Sequence, residues 1–387
     1  DALLGTGLDR PVEGSYAAGI AFLNRQPLIM AVDIPSGISG ATGGVMGVAV
    51  RADVTATFGG VKLGQALDPG RKHCGDLQFI DIGIPLSVQL EVGFEAELLD
   101  DSWTFLRMAP REEDTHKGDS GKLLLLAGSH EKTGAALLAA RGALASGAGL
   151  ITVGTHDDVV ERIAPVVNEA MAAPMLAHTR DENALERLHE FLPGIDAVGM
   201  GPGIGTSDGA RAAVDAVLNS DVPSVVFDAD ALTVLAGHDG WDALADFAEE
   251  NVVVLTPHPG EMARLCDCGI QDVLDDPVSK TRTLAAKTGC YVVLKTATTL
   301  IAAPDGRLAV NATGNPGMAT GGMGDVLTGM ITARLAEGTE PPFEAVCLAV
   351  HAHGLAGDSA ATSTGERGLS AGALADELPA TWRDLES

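Results

Sequence analysis

Residues 122–127 read KLLLLA and are followed at 134–147 by GAALLAARGALASG, an apolar strand pattern and then an Ala-rich amphipathic helix pattern. The same alternation recurs along the chain. Similar apolar runs stand at 27–34, 77–84, 150–153, 196–200, 224–228, 251–255 and 290–294, and similar amphipathic stretches at 207–218, 241–249, 279–288 and 322–336. Parallel strands joined by helices are covered on both faces, which explains strands that are apolar at nearly every position. The sequence therefore predicts an α/β fold with a mostly parallel sheet.

Residues 91–119 interrupt this alternation with charged, aromatic and polar side chains, including Trp103 and Phe105. We place a domain boundary here, between 1–99 and 100–387, and the 387-residue length also favours two domains. The first segment holds three strand patterns and one helix pattern, which are too few to close a doubly wound sheet. We therefore expect it to be the second half of an α/β domain.

The composition excludes several classes of partner. A formal net charge of −28 repels phosphate backbones and anionic lipid, so we expect no nucleic-acid and no membrane partner. No apolar run is long enough to span a bilayer, and no signal-peptide pattern follows Asp1. Five cysteines are too few for a disulfide framework, and Cys266 and Cys268 lack the second pair that a zinc site requires. These features predict a soluble cytoplasmic protein.

The most informative motif is NPGMATGGMGD at 315–325, which precedes a helix pattern. Backbone N–H groups of Gly321, Gly322, Met323 and Gly324 can converge on an anion there, and the positive end of the helix dipole favours a phosphoryl group. Asp325, in the first turn, could accept a proton from an attacking hydroxyl, or it could be an N-capping residue. Stabilised by the dipole, its carboxylate is expected to be a weak base.

Two other strand patterns end in acidic residues. Asp228 and Asp230 follow the run 224–228, and TPHPGE at 256–261 follows the run 251–255. Both lie at the carboxyl edge where open α/β sheets bind ligands, and carboxylates there could hold Mg²⁺ through water. Each residue could equally be a cap or turn residue. His258 could donate a hydrogen bond to a substrate or satisfy turn carbonyls.

Further candidate binding elements follow other strand patterns. Lys295, with the hydroxyls of KTATT at 295–299, suits a nucleotide phosphate or ribose, or an exposed hairpin. GPGIG at 201–205 is a glycine turn between a strand and a helix, which is similar to dinucleotide-type turns but could also simply permit close packing. Ala135, near another helix start, offers a small side chain where a flat ring could approach.

These motifs together resemble a known family. HKGDSG at 116–121, GPGIG, TPHPGE and NPGMATGGMGD are similar to the NAD(P)H-hydrate dehydratase domain of the ribokinase-like superfamily, over residues 100–387. The resemblance implies a three-layer ribokinase-like fold. It also implies that ADP or ATP phosphorylates the hydroxyl of S-configured hydrated NADH or NADPH. Phosphate then leaves with AMP or ADP as the other product, and the restored dinucleotide makes this a metabolite-repair reaction.

The resemblance also implies roles for individual residues. Asp325 would act at the reacting hydroxyl, and Glu261 would hold Mg²⁺ through water. The hydrate would contact Ala135, Gly203, His258 and Asp325, and the adenine nucleotide would contact Lys295, Thr296, Ala297, Thr298, Thr299, Gly321, Gly322, Met323 and Gly324. Thr296 departs from the glycine usual in the family, which puts nucleotide affinity or preference in question. The motif 116–121 receives no role, and a homo-oligomer is expected.

The N-terminal segment carries a second resemblance. DALLGTGLDRP at 1–11 and DIPSG at 33–37 are similar to the second half of an NAD(P)H-hydrate epimerase domain. This implies that Asp1 and Ser36 bind K⁺ and that Asp33, which ends a strand pattern at a ligand edge, lies at the substrate. The hydrate would be held by Gly5, Thr6, Gly7, Leu8, Asp9, Arg10 and Pro11. The alternative is an ordinary strand-end aspartate and a hydrophilic turn.

The family's Asn-Asn-Gly-Gly-Asp-Gly loop for potassium and phosphate does not occur in the sequence. We therefore expect the chain alone to lack epimerase activity, and its half-sheet to be stabilised by a partner or by upstream residues.

Two other functions remain open at this point. One is a ribokinase-like kinase that phosphorylates a hydroxyl of a small vitamin precursor. The other is a non-catalytic binding scaffold. A kinase leaves a phosphorylated alcohol, whereas a dehydratase releases inorganic phosphate and restores the reduced nicotinamide.

Overall fold

The computed structural model describes residues 1–110, 116, 120–163, 165–237 and 241–386. The chain divides into two compact units, Asp1–Leu98 and Leu99–Ser387. No helix among the described residues is long and apolar enough to cross a membrane.

The first unit contains a three-stranded parallel sheet in the order β1-β2-β3. Its strands are β1 (Met30–Val32), β2 (Val54–Phe58) and β3 (Asp76–Ile80), and its helices are α1 (Gly14–Leu23), α2 (Leu63–Ala66), α3 (Gly70–Cys74) and α4 (Leu86–Val92). The expected three strands are confirmed, but the expectation of one helix is wrong. Helices α2 and α3 have four and five residues, which is too short for helical periodicity to be visible in the sequence.

The second unit is built on a ten-stranded sheet. The strands are β4 (Glu97–Leu99), β5 (Lys122–Leu126), β6 (Leu150–His156), β7 (Ala170–Leu176), β8 (Ala197–Met200), β9 (Ser224–Phe227), β10 (Val252–Leu255), β11 (Tyr291–Leu294), β12 (Thr299–Ala302) and β13 (Leu308–Asn311). All of the strand patterns predicted in this unit are present. Strands β4, β7, β12 and β13 are additional.

The helices of this unit lie between the strands and after them. They are α5 (Asp101–Arg107), α6 (Thr133–Ala145), α7 (Asp157–Ile163), α8 (Glu182–Phe191), α9 (Asp208–Leu218), α10 (Ala229–Ala236), α11 (Trp241–Glu250), α12 (Pro259–Leu265), α13 (Ile270–Asp275), α14 (Pro277–Thr288), α15 (Met323–Glu337), α16 (Pro342–Thr364) and α17 (Ala371–Leu385). Short 3₁₀ turns lie at Pro316–Met318 and Glu366–Gly368.

The strand order is β4-β13-β12-β11-β10-β9-β8-β5-β6-β7. Strands β5 to β11 pair in parallel, whereas β11-β12 and β12-β13 pair antiparallel. The chain runs outward from β5 to β7 and then returns to place β8 on the other side of β5. Such a reversal of strand order opens a crevice at the carboxyl ends of the strands. The predicted α/β fold with a mostly parallel sheet is confirmed.

Helix α15 packs against α6 and against β5, β8 and β9. Glycine permits this close approach at two positions. A Cβ added at Gly142 would lie 2.2 Å from the carbonyl oxygen of Val326, and one added at Gly329 would lie 1.9 Å from that of Ala139. The two helix backbones therefore touch, which fixes the N-terminus of α15 above the carboxyl edge of the sheet.

Candidate active site

An ion pair lies at the carboxyl edge of the central strands. Asp228, directly after β9, is 1% exposed, and its Oδ1 lies 2.6 Å from Nζ of Lys295, directly after β11. Its Oδ2 accepts a hydrogen bond of 2.8 Å from Oγ1 of Thr328 in α15. Asp228 stands at the N-cap of α10 but makes no side-chain cap bond. The cap alternative is therefore wrong for Asp228, because both carboxylate oxygens are used for contacts with Lys295 and Thr328.

The glycine loop meets this ion pair. Helix α15 begins at Met323, and its N-cap Gly322 has a left-handed backbone with φ of 95°. A Cβ added at Gly324 would lie 3.2 Å from Nζ of Lys295 and 3.5 Å from Oδ2 of Asp228, whereas one added at Gly321 meets nothing within 4 Å. The space beside Gly324 is therefore filled by the side chains of Lys295 and Asp228, whereas the space beside Gly321 is open.

Asp325 lies in the first turn of α15, and its side chain makes no cap bond because the N-cap is Gly322. Burial is the main reason that the pKa of Asp325 is raised to about 6, and the neighbouring charge of Asp228 adds to the shift while Lys295 opposes it. The expectation of a weak, dipole-stabilised base is therefore wrong. Desolvation outweighs the helix dipole, and the carboxylate is a better proton acceptor than an exposed aspartate.

His258 and Glu261 cap helix α12 reciprocally. Nδ1 of His258 accepts hydrogen bonds from the N–H groups of Gly260 and Glu261 at 2.9 and 3.3 Å, and the N–H of His258 donates to Glu261 at 2.8 Å. The turn-carbonyl alternative for His258 is wrong, since its ring accepts from N–H groups. The proton then sits on Nε2, and the imidazole is half-exposed with 51% of its side chain accessible.

Burial shifts the pKa of both capping residues. It raises the pKa of the Glu261 carboxyl, although Lys295 acts in the opposite direction. It lowers the pKa of His258, and the charge of Lys295 lowers it further. Both side chains are therefore electrostatically coupled to the ion pair at the edge of the sheet.

A second cluster lies beside this edge. Nζ of Lys132, at the start of α6, is 2.8 Å from Oδ2 of Asp230, which also accepts a 2.8 Å hydrogen bond from the N–H of Gly205. A Cβ added at Gly203 would lie 3.0 Å from Cβ of Ala135. The structure thus brings Gly203 and Ala135 together, as expected for two residues that contact one ligand.

The segment 295–299 comprises the turn of the antiparallel β11-β12 hairpin, at 295–298, and the first residue of β12. The hydroxyl of Thr296 donates to the carbonyl of Thr298 across this turn, and the N–H of Lys295 donates to the carbonyl of Pro257 at 2.9 Å. The hairpin alternative is correct for the backbone. The side chain of Lys295 is nevertheless directed inward, with 22% exposed.

The described residues contain no cluster of three or more His, Cys, Asp or Glu that could hold a metal ion by protein ligands alone. Mg²⁺ usually retains several waters and takes only one or two carboxylates beside substrate phosphates. Asp228 and Glu261 are two buried carboxylates that interact electrostatically with each other and share Lys295 as a nearby cation. This donor set fits a water-mediated Mg²⁺.

The first unit has its own polar cluster. Oγ of Ser36 donates to Oδ1 of Asp1 at 2.7 Å, and the N–H of Ser36 donates to Oδ2 at 2.8 Å. The N–H of Leu4 donates to Oγ of Ser36 at 2.9 Å, so the loop that follows Asp1 is tied to the same point. The structure therefore brings Asp1 and Ser36 together as expected.

Asp33 follows β1 with a left-handed backbone of φ 69°. Its carboxylate pairs with Lys62, and Nε2 of Gln65 donates to its carbonyl at 2.6 Å. The loop 5–11 is largely exposed, except that Leu8 packs against the small core around Ile20. Leu8 therefore has a structural contact in addition to its expected place in a binding loop.

The sequence pattern of NAD(P)H-hydrate dehydratases matches residues 123–380, and that of the YjeF-related protein N-terminus matches residues 1–64. The bifunctional NAD(P)H-hydrate repair enzyme Nnr of Thermofilum pendens is 41% identical over all of this chain and 72% of its own length. The chain belongs to the NAD(P)H-hydrate dehydratase family. Its two matches are those expected of the family's bifunctional repair enzymes, with the first confined to residues 1–64.

Solved structures agree with this assignment. The ADP/ATP-dependent NAD(P)H-hydrate dehydratase of Bacillus subtilis, co-crystallised with ATP and Mg²⁺, is 32% identical with a TM-score of 0.65, and the match covers 76% of this chain and 100% of that one. A ribokinase-like superfamily protein of Enterococcus faecalis is 26% identical with a TM-score of 0.67, covering 76% and 98%. The second unit is therefore a ribokinase-like dehydratase fold of this family.

Of the residues predicted for the dehydratase, the structure brings four close to the pair of Asp228 and Lys295: His258, Glu261, Gly324 and Asp325. Sequence reasoning missed the roles of Lys132, Thr328 and Lys62. Nothing in the sequence distinguishes Lys132 and Lys62 from other lysines. Only the folded chain brings Lys132 to Asp230 and Lys62 to Asp33. Thr328 could have been found, because it lies one helical turn after Gly324 and shares its face. Of the motif 116–121, residues 117–119 lie outside the described part of the chain.

Proposed function

We propose that this chain dehydrates the S-configured hydrates of NADH and NADPH with consumption of ADP or ATP, and that Asp325 is the catalytic base. One observation carries the proposal. The carboxylate of Asp325, with a pKa raised to about 6, stands in the first turn of α15 beside the open glycine loop and close to the Lys295–Asp228 pair. A proton acceptor and a phosphate-binding element therefore share one edge of the sheet.

The reaction needs a proton acceptor at the hydroxyl and positive charge at the phosphoryl group. Asp325 takes the hydroxyl proton as that oxygen bonds to the terminal phosphorus of the nucleotide. The phosphorus–oxygen bond to AMP or ADP then breaks, while N–H groups of residues 321–324 and the ammonium of Lys295 stabilise the transferred group. The carbon–oxygen bond to the phosphate then breaks, and loss of a proton from the neighbouring ring carbon forms the double bond that restores the reduced nicotinamide ring.

Mg²⁺ belongs to this proposal through Glu261. When bound, it would neutralise charge on the nucleotide phosphates. The buried carboxylate of Glu261 would hold it through water, and its fixed position follows from the hydrogen bond that it accepts from the N–H of His258.

Contacts with the two substrates follow from the same geometry. Ala135 and Gly203, which pack against each other, are assigned to the hydrate. His258 can donate to it from Nε2, which lies 3.4 Å from Oε1 of Glu261, because Nδ1 is occupied as an acceptor. The adenine nucleotide is assigned to 295–299 and 321–324. Replacing Thr296 by glycine removes the hydroxyl that closes the hairpin turn, so Thr296→Gly should change the ratio of ADP to ATP affinity.

The test is to incubate the protein with hydrated NADH or NADPH and either ADP or ATP. The recovery of reduced-nicotinamide absorbance is followed together with inorganic phosphate by ³¹P NMR. Recovery of the dinucleotide with one phosphate released per turnover supports the proposal. A stable phosphorylated alcohol would instead identify a kinase.

For the first unit we propose a K⁺ site at Asp1 and Ser36, with the hydrate near Asp33 and the loop 5–11. The proposal rests on the 2.7 Å contact between Oγ of Ser36 and Oδ1 of Asp1, which places a hydroxyl and a carboxylate oxygen side by side. A rise in melting temperature with K⁺ that Na⁺ does not produce, and that Ser36→Ala removes, is the expected result. Equal effects of the two ions would contradict it.

We also propose a homo-oligomer in a reducing cytoplasm. An open groove of about 700 Å³ is lined in part by Phe105 and Leu106, which are 61% and 77% exposed. Exposed apolar side chains of this kind are typical of surfaces that bind another protein. All five cysteines are free. Light scattering of the purified protein tests the oligomer, and a mass of one chain would refute it.

A further inference from the structure

We infer that Thr328 is a positioning residue for the dehydratase reaction. Through Asp228, it holds the first turn of α15, with Asp325, at a fixed place relative to Lys295. The inference rests on the proposed function for its catalytic consequence, but its geometry stands on the contacts alone.

The hydroxyl of Thr328 has two acceptors within reach. It lies 2.8 Å from Oδ2 of Asp228 and 3.0 Å from the carbonyl of Gly324, one turn earlier in the same helix. A hydroxyl has one proton, and a carboxylate is the stronger acceptor. The hydrogen bond to Asp228 therefore links helix α15 to the end of β9.

Asp228 connects three elements at a buried point. Its two oxygens contact Thr328 of α15 and Lys295 at the end of β11, and its own backbone follows β9. Asp228 is 1% exposed and Thr328 is also 1% exposed, so water cannot readily replace either contact. A buried carboxylate whose two oxygens are both used restricts the position of each partner.

This link lies beside the reacting groups. Gly324, the residue before Asp325 in the helix, packs against Lys295 and Asp228. A Cβ added at Gly324 would contact both of these side chains. A small rotation of the first turn would therefore change where the Asp325 carboxylate and the loop N–H groups point. Because misplacement by about 1 Å can cost about a hundredfold in rate, a single hydroxyl here can govern turnover.

The chain offers a matched control one turn further on. Thr332 is fully buried in the same helix, but its hydroxyl donates to the carbonyl of Thr328, within α15 itself. Thr328→Val and Thr332→Val thus each remove one buried hydroxyl at nearly constant volume. Only the first removes a contact with Asp228.

The experiment compares Thr328→Val, Thr328→Ser and Thr332→Val with the unmodified protein. Expected for Thr328→Val is a fall in kcat on the order of tenfold to a hundredfold, with a smaller change in nucleotide KM. Thr328→Ser should recover most of the rate, and Thr332→Val should retain it. Equal rates for the two valine variants, or failure of serine to rescue a folded protein, would overturn the inference.

Hydrogen–deuterium exchange provides a readout that does not depend on turnover. Peptides covering residues 321–327 should exchange faster in Thr328→Val than in Thr332→Val, with melting temperatures lowered to a similar extent. If the unmodified protein fails to dehydrate the hydrate but this difference appears, the proposed function fails and the positioning contact stands. Identical exchange in the two variants rejects the contact.

Discussion

The carboxylate of Asp228 and the ammonium group of Lys295 lie 2.6 Å apart, although 67 residues separate them in the sequence. The pair is the point around which the glycine loop, Asp325 and Thr328 are arranged. Strands β9 and β11 and helix α15 are remote from one another in the chain. The two strands bring Asp228 and Lys295 together because the carboxyl ends of parallel strands share one edge of the sheet, and the start of α15 lies at the same edge.

Replacing Asp325 by asparagine should reduce kcat by about 10²–10⁴, the usual contribution of a general base. The amide keeps the shape of the side chain but cannot accept the proton. Thermal melting should change little or rise slightly, because burial disfavours the charged form of Asp325. Normal turnover of the folded variant would remove Asp325 from the mechanism.

The reaction should lose rate below a pH of about 6, where Asp325 becomes protonated. The profile of log kcat/KM against pH should rise with unit slope and level off above that value. In Asp228→Asn the inflection should move to lower pH, because the negative charge that raises the pKa of Asp325 is removed. An inflection that stays in place in this variant would contradict the coupling.

Lys295→Met should destabilise the protein by about 3–5 kcal/mol, because it leaves the carboxylate of Asp228 buried without a cation. The control is Lys132→Met. Lys132 is 51% exposed in its pair with Asp230, and a pair of this kind contributes at most about 1 kcal/mol. Urea denaturation measures both, and adding Asp228→Asn to Lys295→Met should restore part of the loss. Equal destabilisation by the two lysine variants would show that burial does not decide the effect.

Gly324→Ala should weaken nucleotide binding while the fold is retained. The new methyl group would lie 3.2 Å from Nζ of Lys295, the mobile end of a flexible side chain, so the ammonium group moves and the backbone does not. We expect about a tenfold higher Kd by calorimetry, equivalent to about 1.4 kcal/mol. Gly237→Ala, whose added Cβ meets only ordinary contacts at 3.6 and 3.8 Å, is the control and should bind as the unmodified protein does.

Acid should destabilise the second unit through His353, whose pKa burial lowers to about 4. Its Nε2 donates to the carbonyl of Met323 at 3.0 Å, directly beneath the start of α15. In the unfolded chain His353 binds a proton below its ordinary pKa of about 6.5, whereas in the folded protein it binds a proton only below a pH of about 4. Stability should therefore fall by about 3 kcal/mol between these values. A His353→Gln variant should lack this part of the pH dependence in urea titrations at pH 7 and 5.

The sequence by itself determined the fold class, because apolar strands alternating with amphipathic helices can only be buried in a covered parallel sheet. It also determined the loop 315–325, since consecutive glycines before a helix have few structural uses other than close approach of a ligand or a backbone. The short helices α2 and α3 could not be predicted from periodicity. Their few residues carry too little pattern.

Only the tertiary structure decided the chemistry of the side chains. The sequence suggested a weak base at Asp325 from the helix dipole, whereas burial and the charge of Asp228 raise its pKa. It likewise left Asp228 open to a role as a cap, and it gave no sign that Lys132 belongs to the site. Proton affinity and ion pairing depend on desolvation and on distances between residues far apart in the chain, and these quantities exist only after the strands and helices have packed.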